Sequence, residues 1–231
     1  SNRSINRKVS SLKSFYKFLV KTNTISSSPL LAHSPLKQSK KIQVPFSKEE
    51  INSLLDSNSF KTDFRGVMQK TIITFFYFTG VRRIELINLK ESDINMDSST
   101  IRITGKRNKQ RVIPMLPKLK KSINDYLNLK LNEFNNKTLD YLFVSKSGSQ
   151  LSEKYVYRTV NEYFKLVSPK VKKAPHVLRH SFATHLINEG ADINSVKELL
   201  GHSSLSATQV YSHTSMKRIK EVFKNSHPRA K

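Results

Sequence analysis

The stretch FRGVMQKTIITFFYFTGVRRIEL (residues 64–86) carries the reading of the fold. Its first sixteen residues are mostly apolar on every side, the pattern of a helix buried all round rather than lying on a surface. Gly80 then supplies the residue that most easily adopts the left-handed conformation in which helices commonly end. Two arginines follow directly. Glu85 stands three residues beyond Arg82, within reach of its guanidinium once the next helix starts. For the octamer TGVRRIEL (residues 79–86) taken alone, a routine surface ion pair is the plainer reading.

Working outward, residues 4–21 place Ile5, Val9, Leu12, Phe15, Phe18 and Leu19 at helical spacing with Lys and Arg between them, which predicts a basic amphipathic helix. Residues 22–45 are rich in Ser, Pro and Lys and read as a linker. Ser47-Lys48-Glu49-Glu50 is a capping box that opens a second helical region. Residues 100–114 alternate apolar and polar around a Gly-Lys-Arg-Asn-Lys tip, a hairpin pattern. A helix follows Pro117, a short strand is expected over residues 141–144, and the pattern is helical from Glu153 onward. Breaks fall near 169–175, 190, 201–203 and 212–215. There is no fixed-period repeat. The expected fold is mainly α with a small β-hairpin.

At 231 residues the chain fits one large domain or two small ones. Its 37% hydrophobic content suits a folded core. With 41 Lys and Arg against 17 Asp and Glu, the formal net charge is +24, which points to a polyanionic partner, nucleic acid first. An anionic membrane surface is the alternative, but no single strongly basic amphipathic helix dominates. The absence of cysteine excludes disulfides, thiolate zinc sites and cysteine nucleophiles, and suits a reducing cytoplasm. No apolar run approaches the roughly 18 residues that span a bilayer. The chain opens on Ser1-Asn2 without Met, as an added leader scar or the cut edge of a longer protein would.

Three further stretches carry chemistry. In HVLRHSFATHL (residues 176–186), His176 and Arg179 are helical neighbours, while Leu178, Phe182 and Leu186 form the buried stripe. A guanidinium presents a fork to two phosphate oxygens, and an imidazole moves a proton near neutral pH. A solvated basic helix end is the plainer account. A zinc site on His176 and His180 is disfavoured, because the HExxH pattern needs Glu where Val177 stands. The tip GKRNKQR (residues 105–111) carries Lys106, Arg107, Lys109 and Arg111, a basic finger suited to a DNA groove or a phosphate, though a solvated turn would look the same. Lysine can lend a proton there and arginine cannot. LLGHSS (residues 199–204) places His202 after a helix-ending glycine, and alone it reads as a cap. Tyr211 comes nine residues later, in SLSATQVYSHT (residues 204–214). A phenol, with an ordinary pKa of about 10, needs assistance to attack at neutral pH.

The ordered set Arg82, Glu85, Lys106, His176, Arg179, His202 and Tyr211, with the words TGVRRIEL, GKRNKQRVIP, HVLRHSFATHL and LLGHSSLSATQVYSH, resembles the tyrosine recombinase (phage integrase) family. The closing HPRAK (residues 227–231) is similar to the tail of the Xer recombinases. The resemblance covers residues 46–231 as the catalytic domain, and residues 1–40 resemble the latter part of the family's helical core-binding domain. It implies that Tyr211 is the nucleophile, forming a 3′-phosphotyrosine. Arg82 and Arg179 would clamp the phosphate and His202 would donate to it. His176 would be the base, Lys106 the acid to the 5′ oxygen, and Glu85 the support of Arg82. It implies double-stranded DNA as partner, with Arg7, Lys13, Lys40, Lys41, Arg107 and Lys109 as contact candidates. Neither metal nor ATP is expected, since arginines supply the charge and the phosphotyrosine conserves the bond energy. Exchange through a Holliday junction implies a homo- or hetero-tetramer held through a C-terminal tail helix (residues 215–225), in the nucleoid-associated cytoplasm of a bacterium or archaeon. Small residues at 203–210 would give Tyr211 a mobile entry. Chromosome dimer resolution is the expected role. The alternatives are a mobile-element integrase with the same chemistry, a non-catalytic DNA-binding protein, and a type IB topoisomerase.

Overall fold

The computed structural model describes residues 1–37, 44–135, 137, 139–170, 173–201, 221–223 and 225–229. The chain divides into two compact units, Ser1–Ile42 and Gln43–Lys231.

The first unit is built on helix α1 (Asn2–Lys21). The segment that follows turns back along it: Asn2 and Asn6 donate to the carbonyls of Lys37 and Leu36 at 2.9 and 2.8 Å, and the Lys13 ammonium donates to that of His33 at 2.7 Å. The helix falls where its periodicity places it, but Ile5, Leu12, Phe15 and Phe18 are exposed and Tyr16 is half-buried. One helix and an irregular return segment offer too little apolar surface to cover such a stripe.

The second unit is arranged around α3 (Phe64–Thr79). Asp63 caps its start, accepting from the Gly66 N–H at 2.7 Å, an arrangement worth about 1 kcal/mol. Gly80 ends it in the left-handed conformation at φ 59°. Between these ends Ile72, Ile73, Phe75, Phe76, Tyr77 and Phe78 are buried, so the helix is core on all sides. Its buried Thr79 hydroxyl returns to the Phe75 carbonyl at 2.6 Å, which removes the cost of a lone polar group. Helices α5 (Pro117–Glu133), α6 (Glu153–Val167) and α7 (Pro175–Asn188) pack against α3, and α2 (Lys48–Leu55) against α6. The short α4 (Arg83–Ile87) and α8 (Ile193–Leu200) lie at the ends of α3 and α7 in the chain. The Ser47–Glu50 capping box at the start of α2 forms as expected.

The expected hairpin is β2 (Thr100–Thr104) against β3 (Gln110–Pro114), with Ile101 opposite Ile113 and Ile103 opposite Arg111. A two-residue strand, β1 (Ile94–Asn95), pairs with β2 and makes an antiparallel sheet of order β1-β2-β3. The strand expected over residues 141–144 does not form a ladder. Isolated bridges join Lys90 to Tyr141 and Val144 to Gln150 instead, because two different segments meet this one at its two ends.

Near the C-terminus, Phe223 and His227 are buried in the chain's own domain, beside Phe78 and Phe182. The tail residues expected to face a neighbouring molecule thus have at least Phe223 seated at home. His227 accepts from the Arg229 N–H at 3.2 Å on Nδ1, and its Nε2–H donates to the Tyr77 carbonyl at 3.3 Å. That pairing suits a neutral ring. Burial pushes its pKa down from 6.5 to about 4; the bond to the Tyr77 carbonyl opposes this, and the nearby His185, Arg229 and Lys118 add smaller downward pushes. Below pH 6.5 the unfolded chain therefore binds a proton that the folded chain refuses. Stability should fall as pH drops from about 6.5 to about 4, by on the order of 3 kcal/mol. Melting curves across that range should show a slope that His227→Gln flattens. Equal slopes would remove His227 as the cause.

Candidate active site

The turn after α3 positions the first arginine. Gly80 reverses the chain, buried Val81 anchors it, and Arg82 stands just before α4. Glu85, in the first turn of α4, accepts the otherwise unpaired Arg82 backbone N–H at 2.8 Å and the Arg82 Nη1 at 2.7 Å. The guanidinium is thereby held at one edge while a third of the side chain remains exposed, at 34%. Arg83 turns the other way and pairs with Glu153 on α6, so only one of the two consecutive arginines belongs to the site.

Glu85 serves a second guanidinium. Arg111 Nη1 and Nη2 donate to its two oxygens at 3.1 and 2.7 Å, and Arg111 Nε donates to the Leu199 carbonyl at 2.9 Å. Both side chains are buried, at 6% and 2% exposure. Burial pushes the Glu85 carboxyl up, but the Arg111 hydrogen bonds and charge, with the Arg82 contacts, outweigh it and hold the group below its ordinary range. The sequence placed Arg111 on an exposed basic finger; the structure turns it inward. The signal that finds it is strand parity, since Arg111 shares a face with buried Ile113 and lies opposite buried Ile103.

Helix α7 brings the second arginine. Pro175 occupies its first turn, His176 follows and is exposed, and Arg179 stands one turn later, half-buried. Arg179 Nη1 donates to the Gly80 carbonyl at 2.5 Å and Nη2 to the Leu200 carbonyl at 2.7 Å. It therefore joins the end of α3 to the end of α8. Burial and then repulsion from Arg82 push its pKa down to about 10, still far enough above neutral for a full charge. Arg82 Nη2 lies 3.4 Å from the Gly201 carbonyl. Leu199, Leu200 and Gly201, the carbonyl end of α8, thus face Arg111, Arg179 and Arg82 in turn. This is the negative pole of the helix and favours cations. Gly201 has a left-handed φ of 65°, and a Cβ there would stand 3.1 Å from Arg111 Nη1, so glycine suits both the turn and the close approach.

The hairpin tip is a 3₁₀ turn over Lys106–Asn108 in which Arg107 and Asn108 have φ of 58° and 56°. Lys106, Arg107 and Lys109 are exposed. Gly105 faces the carboxylate: a Cβ on it would lie 3.3 Å from Glu85 Oε1. Lys106 therefore directly follows the residue that packs against the carboxylate holding both Arg82 and Arg111. Arg7 is exposed on α1, and Lys13 makes its contact within its own unit. His202, Tyr211, Lys40, Lys41 and the 203–210 segment lie outside the described residues. Among the described residues no cluster of His, Cys, Asp and Glu could hold a metal, and no helix is long and apolar enough to cross a membrane.

Two charged forks fixed at one helix terminus, with an exposed imidazole and an exposed ammonium on neighbouring elements, suit an anion that must be gripped without rearrangement. Residues 45–218 match the model of the Phage integrase family. Tyrosine recombinase XerC of Bacillus pumilus (strain SAFR-032) is 39% identical over 234 residues, spanning 100% of this chain and 76% of that protein. Among solved structures, the XerA recombinase is 30% identical with a TM-score of 0.62, covering 94% of this chain and 74% of that one. The XerH site-specific recombinase bound to its difH substrate before cleavage is 25% identical with a TM-score of 0.71, covering 97% of this chain and 62% of that one. The chain belongs to the phage integrase family, as a Xer-type site-specific tyrosine recombinase, an enzyme that acts on DNA by cutting and rejoining its strands.

Proposed function

We propose that Arg82, Lys106, His176, Arg179, His202 and Tyr211 carry out the strand cleavage, with Glu85 in support. Tyr211 Oη attacks the scissile phosphorus in line while His176 takes its proton. The bond from phosphorus to O5′ breaks, the Lys106 ammonium gives its proton to O5′, and a 3′-phosphotyrosine remains. Charge gathering on the non-bridging oxygens is met by Arg82, Arg179 and His202. Attack by the 5′-hydroxyl of a partner strand reverses the sequence and reseals the backbone. The observation that carries this reading is the convergence of Arg82 and Arg179 on the last carbonyls of α8, one residue before His202.

The roles divide cleanly on a nicked suicide duplex. Lys106→Ala should cleave an ordinary duplex about a hundred to ten thousand times more slowly, the usual worth of a positioned acid. It should recover when the 5′ leaving oxygen is sulfur, which departs without a proton. Equal slowing on both duplexes would take Lys106 out of the acid role.

Residues 46–231 would be the catalytic domain and residues 1–40 the end of a helical core-binding domain. Two sequential exchanges need four active sites around two duplexes, so the working unit is a tetramer. The C-terminal tail expected over residues 215–225 would join neighbouring protomers, with Phe223 remaining seated in its own domain. Chromosome dimer resolution is the role favoured by identity to XerC across the whole chain. Integration of a mobile element would use the same chemistry on a different site.

A further inference from the structure

We propose that Arg111 is a positioning residue for the proton transfer: by clamping the base of the β2–β3 hairpin to Glu85 and to the Leu199 carbonyl, it sets where the hairpin tip holds Lys106. The inference rests on the acid role proposed for Lys106.

Arg111 is too deeply buried to meet DNA itself, at 5% exposure. Its three donor contacts reach two elements besides its own: both oxygens of Glu85 on α4, and the Leu199 carbonyl at the end of α8. It lies opposite Ile103 in a ladder that runs from Thr100–Pro114 to Thr104–Gln110, so fixing Arg111 fixes the strand pair. The tip closes directly above, with the Gly105 N–H donating to the Lys109 carbonyl at 2.8 Å and Gly105 set against Glu85. A buried guanidinium fork answers both carboxylate oxygens at once, and its Nε remains for a third partner. A lysine keeps the charge beside Glu85 but cannot hold all three acceptors in one plane. Without Arg111, Glu85 would have only Arg82 to neutralise it, and the hairpin would lose its tie to both helices.

The test uses the full chain and two nicked suicide duplexes of the same site, one with oxygen and one with sulfur at the 5′ leaving position. Arg111→Lys should bind DNA as the parent does, cleave the oxygen duplex about a hundredfold more slowly, as a displaced catalytic group does, and cleave the sulfur duplex near the parent rate. A merely structural defect would slow both duplexes alike. That result, or unchanged cleavage of the oxygen duplex, would overturn the proposal. Arg111→Met, checked by melting for a folded domain, should show the same oxygen-to-sulfur contrast. Lys106→Ala runs alongside. If sulfur rescues Lys106→Ala but not Arg111→Lys, the positioning role fails while the acid role stands. If sulfur rescues neither, the acid role fails and takes this inference with it.

Discussion

Tyr211→Phe should abolish covalent capture of a nicked suicide duplex, lowering the cleavage rate at least about a thousandfold, or about 4 kcal/mol of transition-state stabilisation. The loss should leave DNA affinity within a few-fold, because the proposed site assigns the phosphate grip to Arg82 and Arg179. A phenyl ring retains the shape of the side chain and lacks only the attacking oxygen. The chain has no cysteine to attack instead, and Tyr77 and Tyr126 are fully buried. The check is a gel shift for binding beside a denaturing gel for the covalent product. A Phe variant that still traps DNA would put the nucleophile elsewhere.

The second large effect belongs to Arg179. Arg179→Lys should slow single-turnover cleavage by about a hundred to a thousandfold, the cost of losing one preorganised donor to the developing charge. The same change should lower the melting temperature. The fork now ties the Gly80 carbonyl to the Leu200 carbonyl, and a single ammonium cannot serve both while facing a phosphate. Each buried carbonyl left unpaired costs about 1–3 kcal/mol. Slower cleavage with an unchanged melting point would show that Lys restores both bonds. A lower melting point with normal cleavage would make Arg179 structural and remove it from the clamp.

What the sequence disclosed of this fold was local. The helix over residues 64–79, its end at Gly80 and the Arg82–Glu85 pair each follow from chemistry within four residues, and the structure repeats them. The hairpin is local in the same sense. Partnership at a distance is harder to read. Strand β1 exists only because β2 offers it an edge, and residues 141–144 miss being a strand because their neighbours diverge. Periodicity identified α1 as a helix but could not tell that Phe15 and Phe18 stay exposed. Arg111 is the instructive case. By residue type it belongs on a basic tip, and by strand parity it belongs inside; the Glu85 carboxylate decides between them. The Leu199, Leu200 and Gly201 carbonyls that organise the three arginines have no sequence signature at all, since every residue carries one.

The most direct test of the account is to identify the atom that joins protein to DNA. Nicked suicide duplexes from a pool of candidate sites would be captured by the unmodified chain, the DNA sequenced, and the protein digested and mapped by mass spectrometry. A single nucleotide-bearing peptide is expected, the one containing Tyr211, linked through a 3′-phosphate. A nucleotide on any other tyrosine, or on serine, or a 5′-phosphate linkage would contradict it.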